Sequence, residues 1–382
     1  MNPLSVYFEK VPDPRGPSNA QVHLLLDILT IALCAMLSGA ESFVDMERFG
    51  REKQGWLKAR LGLKLPGGIP CHDTFGRLFA RLDPHAFGAA MQTWTQALHH
   101  ATQGQVIAID GKSVRRSFDT ATGKAALHLV NAWASHSRLV LGQCAVEAKS
   151  NEIKAIPTLL EMLDIKGCII TTDALNSQKK IAAQIVQRGA DYVLALKDNH
   201  ALLHQEVRDY FHWCQEQPGG LRRLSESQAE QRNWGHGRCE VRRCFAIAVT
   251  QEDWPQALRQ WPGLKSLVLV EAQRGTGVDT GTSVVQRFYL SSLPCEAKRL
   301  LEAVRAHWGV ENNVHWCLDV AFDEDGCRVR KDHAAQNLAV LRRLCLNLLR
   351  QETTDKNGLK ARRLRAAWNN DYLLRVLGSN KS

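Results

Sequence analysis

At 382 residues, 45% hydrophobic and 23% charged, the chain has the make-up of an ordinary globular protein of two or three domains. Its longest apolar run, Ile28 to Leu37, contains Thr30, is too short to span a bilayer and follows no basic leader, so a soluble, cytoplasmic chain with no membrane partner is expected. Eleven scattered cysteines without a Cys-x-x-Cys pair exclude a zinc ribbon and a disulfide framework, and read as thiols of a reducing compartment.

The net charge of +10 is uneven: residues 328–382 hold 13 Lys/Arg against 4 Asp/Glu, a net of +9, while residues 1–100 hold 10 against 9. A local excess of this kind suits a polyanion, because each neutralised phosphate releases counterions. A solvated basic helix without a partner explains the charge equally well.

In chain order, Val22 to Leu33 opens a long apolar helix and Ser42 to Leu61 gives a more polar one. A turn cluster, Leu65-Pro66-Gly67-Gly68-Ile69-Pro70, precedes a short helix over His72–Leu82, capped by Asp73 or Thr74. Helix, turn and a capped helix bearing Arg77 and Arg81 is compatible with a helix-turn-helix reader of DNA, although a helical packing module fits the residues better. From residue 105 the pattern becomes strands: Gln105–Asp110, then a hairpin of Leu127–Ala134 and Leu139–Val146. Helix Glu152–Leu163, buried strand Cys168–Thr172, helix Ser177–Arg188 and strand Tyr192–Leu196 follow, which together make a mixed α/β sheet. A polar helix, Leu203–Gln217, runs into Pro218-Gly219-Gly220, and three strands then read as a β-rich insertion: Glu240–Val249, Leu267–Ala272 and Ser283–Ser291. Helical spacing returns at Glu296 and holds to the end. The expected organisation is a helical N-terminal domain at 1–100 with a possible role on DNA, a catalytic core at 101–204 and 291–350, the insertion at 205–290, and a basic helical segment at 351–382.

Three carboxylates carry the chemistry. Asp110 ends the apolar run Val106-Ile107-Ala108-Ile109, and Asp173 ends Cys168–Thr172, at the carboxyl end of a strand where open α/β sheets place their sites. Glu311 lies in a late helix. Two acids at strand ends and one from a helix can hold a pair of hard divalent cations, an arrangement suited to in-line displacement at phosphorus. Gly111-Lys112-Ser113 is not a phosphate loop, because Val106 stands where that motif needs glycine. Lys112, Arg115 and Arg116 instead suit the flanks of a bound phosphodiester, as do Lys197 at another strand end and Arg328, Arg330 and Lys331 after the acidic Asp323-Glu324-Asp325. His307, Glu311, His315 and Asp319 recur every four residues along one helix side. That row allows a mononuclear His/Glu metal site, but Glu311 alone on metal suits it better, with His307 and His315 touching DNA or holding Glu311.

These residues resemble the DDE transposases of bacterial insertion sequences, in particular the ISAs type that includes the H-repeat-associated proteins of Rhs elements. The likeness runs through Asp13-Pro14-Arg15, Ile69-Pro70-Cys71-His72-Asp73-Thr74-Phe75, Ala108-Ile109-Asp110-Gly111-Lys112, Thr172-Asp173-Ala174 and Tyr192–Lys197. It is strongest in His307-Trp308-Gly309-Val310-Glu311-Asn312 and His315–Phe322. The resemblance implies a ribonuclease H-like core whose catalytic metal ligands are Asp110, Asp173 and Glu311, holding two ions of magnesium or manganese. It further implies a homodimer on double-stranded DNA with terminal inverted repeats, in the nucleoid. Of the Tyr-x-x-Arg-x-x-x-Glu-x-x-x-x-x-x-Lys signature of related transposases only the glutamate stands here, with Val304, His307 and Leu318 at the other positions. The alternatives are a catalytically silent DNA-binding remnant and a general nuclease of the same fold.

Overall fold

The computed structural model describes residues 4–16, 22–98, 103–120, 122–146, 152–235, 238–249, 256–276 and 284–378. Five helices come first: α1 (Ser5–Phe8), α2 (Leu25–Leu37), α3 (Phe43–Leu61), α4 (His72–Arg81) and α5 (Pro84–Leu98). Strands β1 (Val106–Ser113), β2 (His128–Ala134) and β3 (Leu139–Val146) form a meander, after which α6 (Glu152–Glu161), β4 (Ile169–Thr172), α7 (Lys179–Gln187) and β5 (Asp191–Leu196) alternate. Helices α8 (Ala201–Glu216) and α9 (Pro218–Glu226) lead into β6 (Gln228–Gly235), β7 (Arg238–Ala248), a short α10 (Gln256–Arg259), β8 (Ser266–Thr276) and β9 (Val284–Ser291). The chain continues through α11 (Ala297–His307), a wide π-type turn at Glu311–His315, α12 (Trp316–Phe322), α13 (Ala334–Gln351), α14 (Leu359–Trp368) and α15 (Asn370–Val376).

The nine strands of the described residues form one sheet in the order β3-β2-β1-β4-β5-β9-β8-β7-β6. Strands β1, β4 and β5 run parallel, and every other pairing is antiparallel. The first five strands thus have the mixed, ribonuclease H-like arrangement expected. The β-rich segment extends this same sheet, because β9 pairs directly with β5. Residue alternation divides the sheet into two apolar faces. Ile107, Ile109, Ile170, Tyr192 and Leu194 are covered by α6, α7 and α8, while Val106, Ile169, Val193 and Tyr289 are covered by α11. A further core joins α2, α4, α5 and α13 against Ala108, Trp133 and Val140.

Helix α2 is apolar nearly all round and buried as a core helix. No helix among the described residues is long and apolar enough to cross a membrane, and all eleven cysteines are free thiols. Helix α3 opens with a capping box: the Ser42 hydroxyl accepts from the Asp45 N–H at 3.2 Å, and the Asp45 carboxylate accepts from the Ser42 N–H at 3.0 Å. The cap expected at Asp73 or Thr74 lies instead at Cys71, which makes no side-chain capping bond, and Asp73 serves in the first turn near the positive helix end. Asn337 of α13 donates to the carbonyls of Phe79 and Leu82, both at 2.8 Å, which ties α4 into the core.

Two elements escape the sequence pattern. Pro218-Gly219-Gly220 reads as a break, yet it starts α9: proline suits the first helical position, and Gly220 lets α9 approach α8, since a Cβ there would stand 2.3 Å from the Cys214 Cα. Strand β6 is a polar edge with no apolar run, its inner positions only half-buried. Ser283, the expected first residue of the last insertion strand, lies outside the described residues, as does the boundary at 100–101.

Candidate active site

Ile109 of β1 stands opposite Thr172 of β4 in the parallel register. The next residues, Asp110 and Asp173, are therefore side by side: Asp173 follows the last residue of β4, whereas Asp110, expected at a strand end, lies inside β1 opposite Asn131, because that strand pairs with β2 as far as Ser113. Alternation puts Asp110 on the face of Val106 and Ala108, and Asp173 on the face of Ile169 and Thr171, which is the face that α11 covers. A continuous α-helix from His307 to Asp319 would drift by about 120° over twelve residues at about 100° each. The wide turn Glu311–His315 absorbs roughly one residue of that drift, so His307, His315 and Asp319 all meet the sheet. His307 Nδ1 lies 3.0 Å from the Thr171 hydroxyl, His315 Nδ1 lies 3.6 Å from Asp110 Oδ2, and Lys112 Nζ donates to both Asp319 oxygens at 2.7 and 2.9 Å. Glu311 itself, first in the turn, is exposed.

Charge accumulates at Asp110. Burial, then the carboxylate of Asp173, and then those of Glu152 and Glu311 push its carboxyl up to about 7. Burial pushes His307 down to about 4, and burial together with Arg343 and Lys112 pushes His315 down to about 3. Both imidazoles are thus neutral near pH 7: His307 holds Thr171 by its hydrogen bond, and His315 stands beside Asp110 as an uncharged neighbour. The one-sided His307–Glu311–His315 metal row fails, because the histidines face the sheet while Glu311 is exposed; among the described residues no group of three His, Cys, Asp or Glu side chains is set to hold an ion. The all-oxygen donors Asp110, Asp173 and Glu311 nevertheless fit a hard divalent cation, whose charge would offset the repulsion that raises Asp110.

A fourth carboxylate was not legible in the sequence. Glu152, buried at the start of α6, lies 2.5 Å from His128 Nε2 on β2, and its other oxygen accepts from Asn176 Nδ2 at 2.7 Å. Asn176 also holds Asp173 Oδ1, by its side chain at 2.8 Å and its backbone N–H at 3.1 Å. The signal available was Gly111, since a glycine inside a strand often marks a close approach. A Cβ at Gly111 would stand 2.3 Å from Glu152 Oε1 and 2.7 Å from His128 Nε2. Gly111→Ala is accordingly expected to lower stability by about 1–3 kcal/mol, read from the urea midpoint at unchanged slope.

The raised Asp110 sets a second expectation, for metal-free protein. A carboxyl raised in the folded state gives stability that is fully present below the ordinary aspartate value and is lost as pH climbs through about 7. Asp110→Asn removes that loss. Its thermal midpoint in chelator should match the parent near pH 4 and exceed it at pH 8 by the equivalent of about 2 kcal/mol, discounted because 27% of the side chain meets solvent. Equal midpoints at pH 8 would contradict the crowding of charge.

The family model described as Transposase DDE domain matches residues 101–348, a span that contains all of these acids, and one described as DDE_Tnp_1-associated matches residues 5–95. The chain belongs to the DDE transposase family. This DDE transposase is 38% identical over 374 residues to "Putative transposase YncI" of Escherichia coli O157:H7, covering 98% of this chain and 94% of that protein. It is 34% identical over 382 residues to "H repeat-associated putative transposase YhhI" of Escherichia coli (strain K12), covering 99% and 98%. A solved piggyBac transposase synaptic complex with hairpin DNA aligns over 94% of this chain and 74% of its own at 11% identity and a TM-score of 0.44, too distant to carry geometry across. As a member of the family, the DDE transposase acts on DNA and depends on divalent metal.

Several of its expected DNA contacts are occupied internally. Lys112 is buried between Asp319 and Asp325 and positions α12 against β1. Arg115 is exposed and pairs with Asp325 at 3.1 Å. Arg330 donates to the Arg116 carbonyl at 3.2 Å and covers the Phe118 ring at 5.1 Å, so the segment after β1 and the loop 328–331 form one surface on which Arg116, Arg328 and Lys331 are exposed. Lys197 is exposed just past β5. Of the basic C-terminal excess, Arg342, Arg343, Arg362 and Arg363 are buried. Arg362 and Arg363 donate to backbone carbonyls, which pins α14 to α2 and α13. Those charges serve the fold and not a polyanion.

Proposed function

We propose that this DDE transposase cuts and rejoins DNA at the terminal inverted repeats of an insertion sequence, using Asp110, Asp173 and Glu311 to hold two magnesium ions, with manganese able to substitute. The observation that carries this reading is the meeting of Asp110 and Asp173 on adjacent parallel strands, within the field of Glu311, so that Asp110 is pushed up to about 7. When bound, the divalent ions supply Lewis-acid charge around the phosphorus under attack. The chain's own groups do the positioning. Asn176 fixes the Asp173 carboxylate, His315 backs Asp110, and His307 locks Thr171 two residues before Asp173. No seryl or tyrosyl nucleophile is required, because water and then a DNA 3′-hydroxyl serve as attacking groups. The working form is a homodimer on DNA, resident in the nucleoid.

The test uses purified full-length protein, magnesium and two labelled duplexes, one carrying the inverted repeats that flank the gene and one carrying them scrambled. Cleavage confined to the repeat ends, leaving 3′-hydroxyl groups and stopped by EDTA, is the expected result. Binding without cutting would reduce the protein to a DNA-binding remnant, and equal cutting of both duplexes would make it a general nuclease.

A further inference from the structure

The β-rich extension carries a cluster of guanidinium groups on the same sheet face as Asp110 and Asp173. Cys244 and Val270 belong to the core beneath α11 and stand opposite each other. Alternation therefore puts Arg242 and Arg274 on that face, and Arg287, the partner of Val270 on β9, joins them. Arg305 of α11 reaches the same place, with its Nη1 donating to Asn233 Oδ1 at 3.3 Å. Among the described residues Glu240 answers these groups, accepting from Arg242 and from Arg274 Nε, the latter at 3.0 Å. Arg287 in turn covers the ring of Trp308, the residue after His307, at 5.2 Å.

Three polar atoms here are shielded from solvent and lack a partner: Arg242 Nη1, Asn233 Nδ2 and Gln231 Oε1. Gln231 and Arg242 are direct cross-strand partners, so these atoms belong to one locality. Buried donors without acceptors are uncommon and costly. Two of the three are donors, and one is a guanidinium already crowded by Arg305 and Arg274, which with burial hold it below the ordinary arginine range. An anion with several oxygens answers such a set, and guanidinium groups match phosphate geometry. Arg274, whose side chain is 75% exposed, stands on the solvent side.

We infer that Arg242 and Arg305, braced by Asn233, form a binding site for a backbone phosphate of the DNA. The site rests on the transposase reading and assigns to the extension the phosphate grip that His307 and His315 do not provide. Arg305 precedes Glu311 by six residues, about 9 Å along the helix.

Fluorescence anisotropy of the full-length protein on the repeat-end duplex and its scrambled counterpart, across a salt series, tests the site. Arg242→Gln and Arg305→Gln are each expected to weaken binding about tenfold on both duplexes and to lower the log–log salt slope by about one. The exposed Arg222 of α9, which packs on the opposite face, serves as the charge control, and Arg222→Gln should change neither. If Arg242→Gln does not fold by circular dichroism, Arg305→Gln decides the matter alone. Unchanged affinity and slope in a folded variant would overturn the phosphate site while leaving end-specific cleavage by the parent, and so the transposase reading, intact. Absence of end cleavage by the parent would sink that reading, and the binding slopes would still judge the site.

Discussion

Asp110→Asn, Asp173→Asn and Glu311→Gln should each lower magnesium-dependent cleavage of repeat-end DNA by about a thousandfold or more. Each change removes an anionic oxygen from the set that fits divalent metal, and metal ions contribute several kcal/mol to charge stabilisation at a reacting phosphorus. The substitutions keep shape and hydrogen-bonding capacity, so the loss should appear in cleavage and not in folding. DNA affinity should hold or rise, because a negative charge leaves the surface that meets a polyanion. Single-turnover cleavage with matched anisotropy titrations separates the two. Any of the three variants cutting within tenfold of the parent would remove that residue from the catalytic set.

Arg343→Met should lower unfolding stability by about 3–5 kcal/mol at neutral pH. Arg343 and Glu324 are buried, joined by Nη1 to Oε1 at 2.7 Å, and Arg343 Nε donates to Asn131 Oδ1 at 2.6 Å. Asn131 is the cross-strand partner of Asp110, so this pair sits beneath the acidic site and links α13 to β2. Methionine leaves Glu324 buried without its hydrogen-bonded ion-pair partner, which is why the loss exceeds that of a surface pair. Burial alone pushes the Glu324 carboxyl up, but Arg343 and then Arg342, with smaller contributions, outweigh it and hold it below the ordinary glutamate value. Stability from a lowered carboxyl is present above its unfolded value and is lost as pH falls through the folded one. The gap between Arg343→Met and the parent, from urea midpoints, should therefore be widest near neutrality and narrow in acid. Arg343→Met combined with Glu324→Leu should recover most of the loss; a double variant as unstable as the single one would mean that packing, and not the ion pair, sets the cost.

Much of the sheet is legible from residue order. The β-branched runs ending at Asp110 and Asp173, the hairpin around 135–138 and the strands Tyr192–Leu196 and Leu267–Ala272 all announce themselves, because a strand buried on both faces has few other ways to be apolar throughout. Strand β6 and helix α9 do not. An edge strand need not be apolar, and a Pro-Gly-Gly run can open a helix when the second glycine is needed for close packing. The basic C-terminus misleads for a related reason. Charge counting cannot tell an arginine facing DNA from Arg362 or Arg363, whose donors are spent on carbonyls inside the core.

The sequence by itself determined which acids follow the apolar runs of the central strands, that a third stands on a late helix, and which family the whole belongs to, because apolar runs and local motifs are written along the chain. Only the tertiary structure decided which residues surround those acids. Glu152 and Asn176 are brought under Asp110 and Asp173 by packing α6 across the sheet. The wide turn at Glu311 points His307 and His315 at strands more than a hundred residues away. Arg305 meets Asn233 of β6, beside Arg242, because the insertion continues the core sheet. Contacts between residues distant in sequence depend on register and helix phase, and a single wide turn or one bare glycine can reset both.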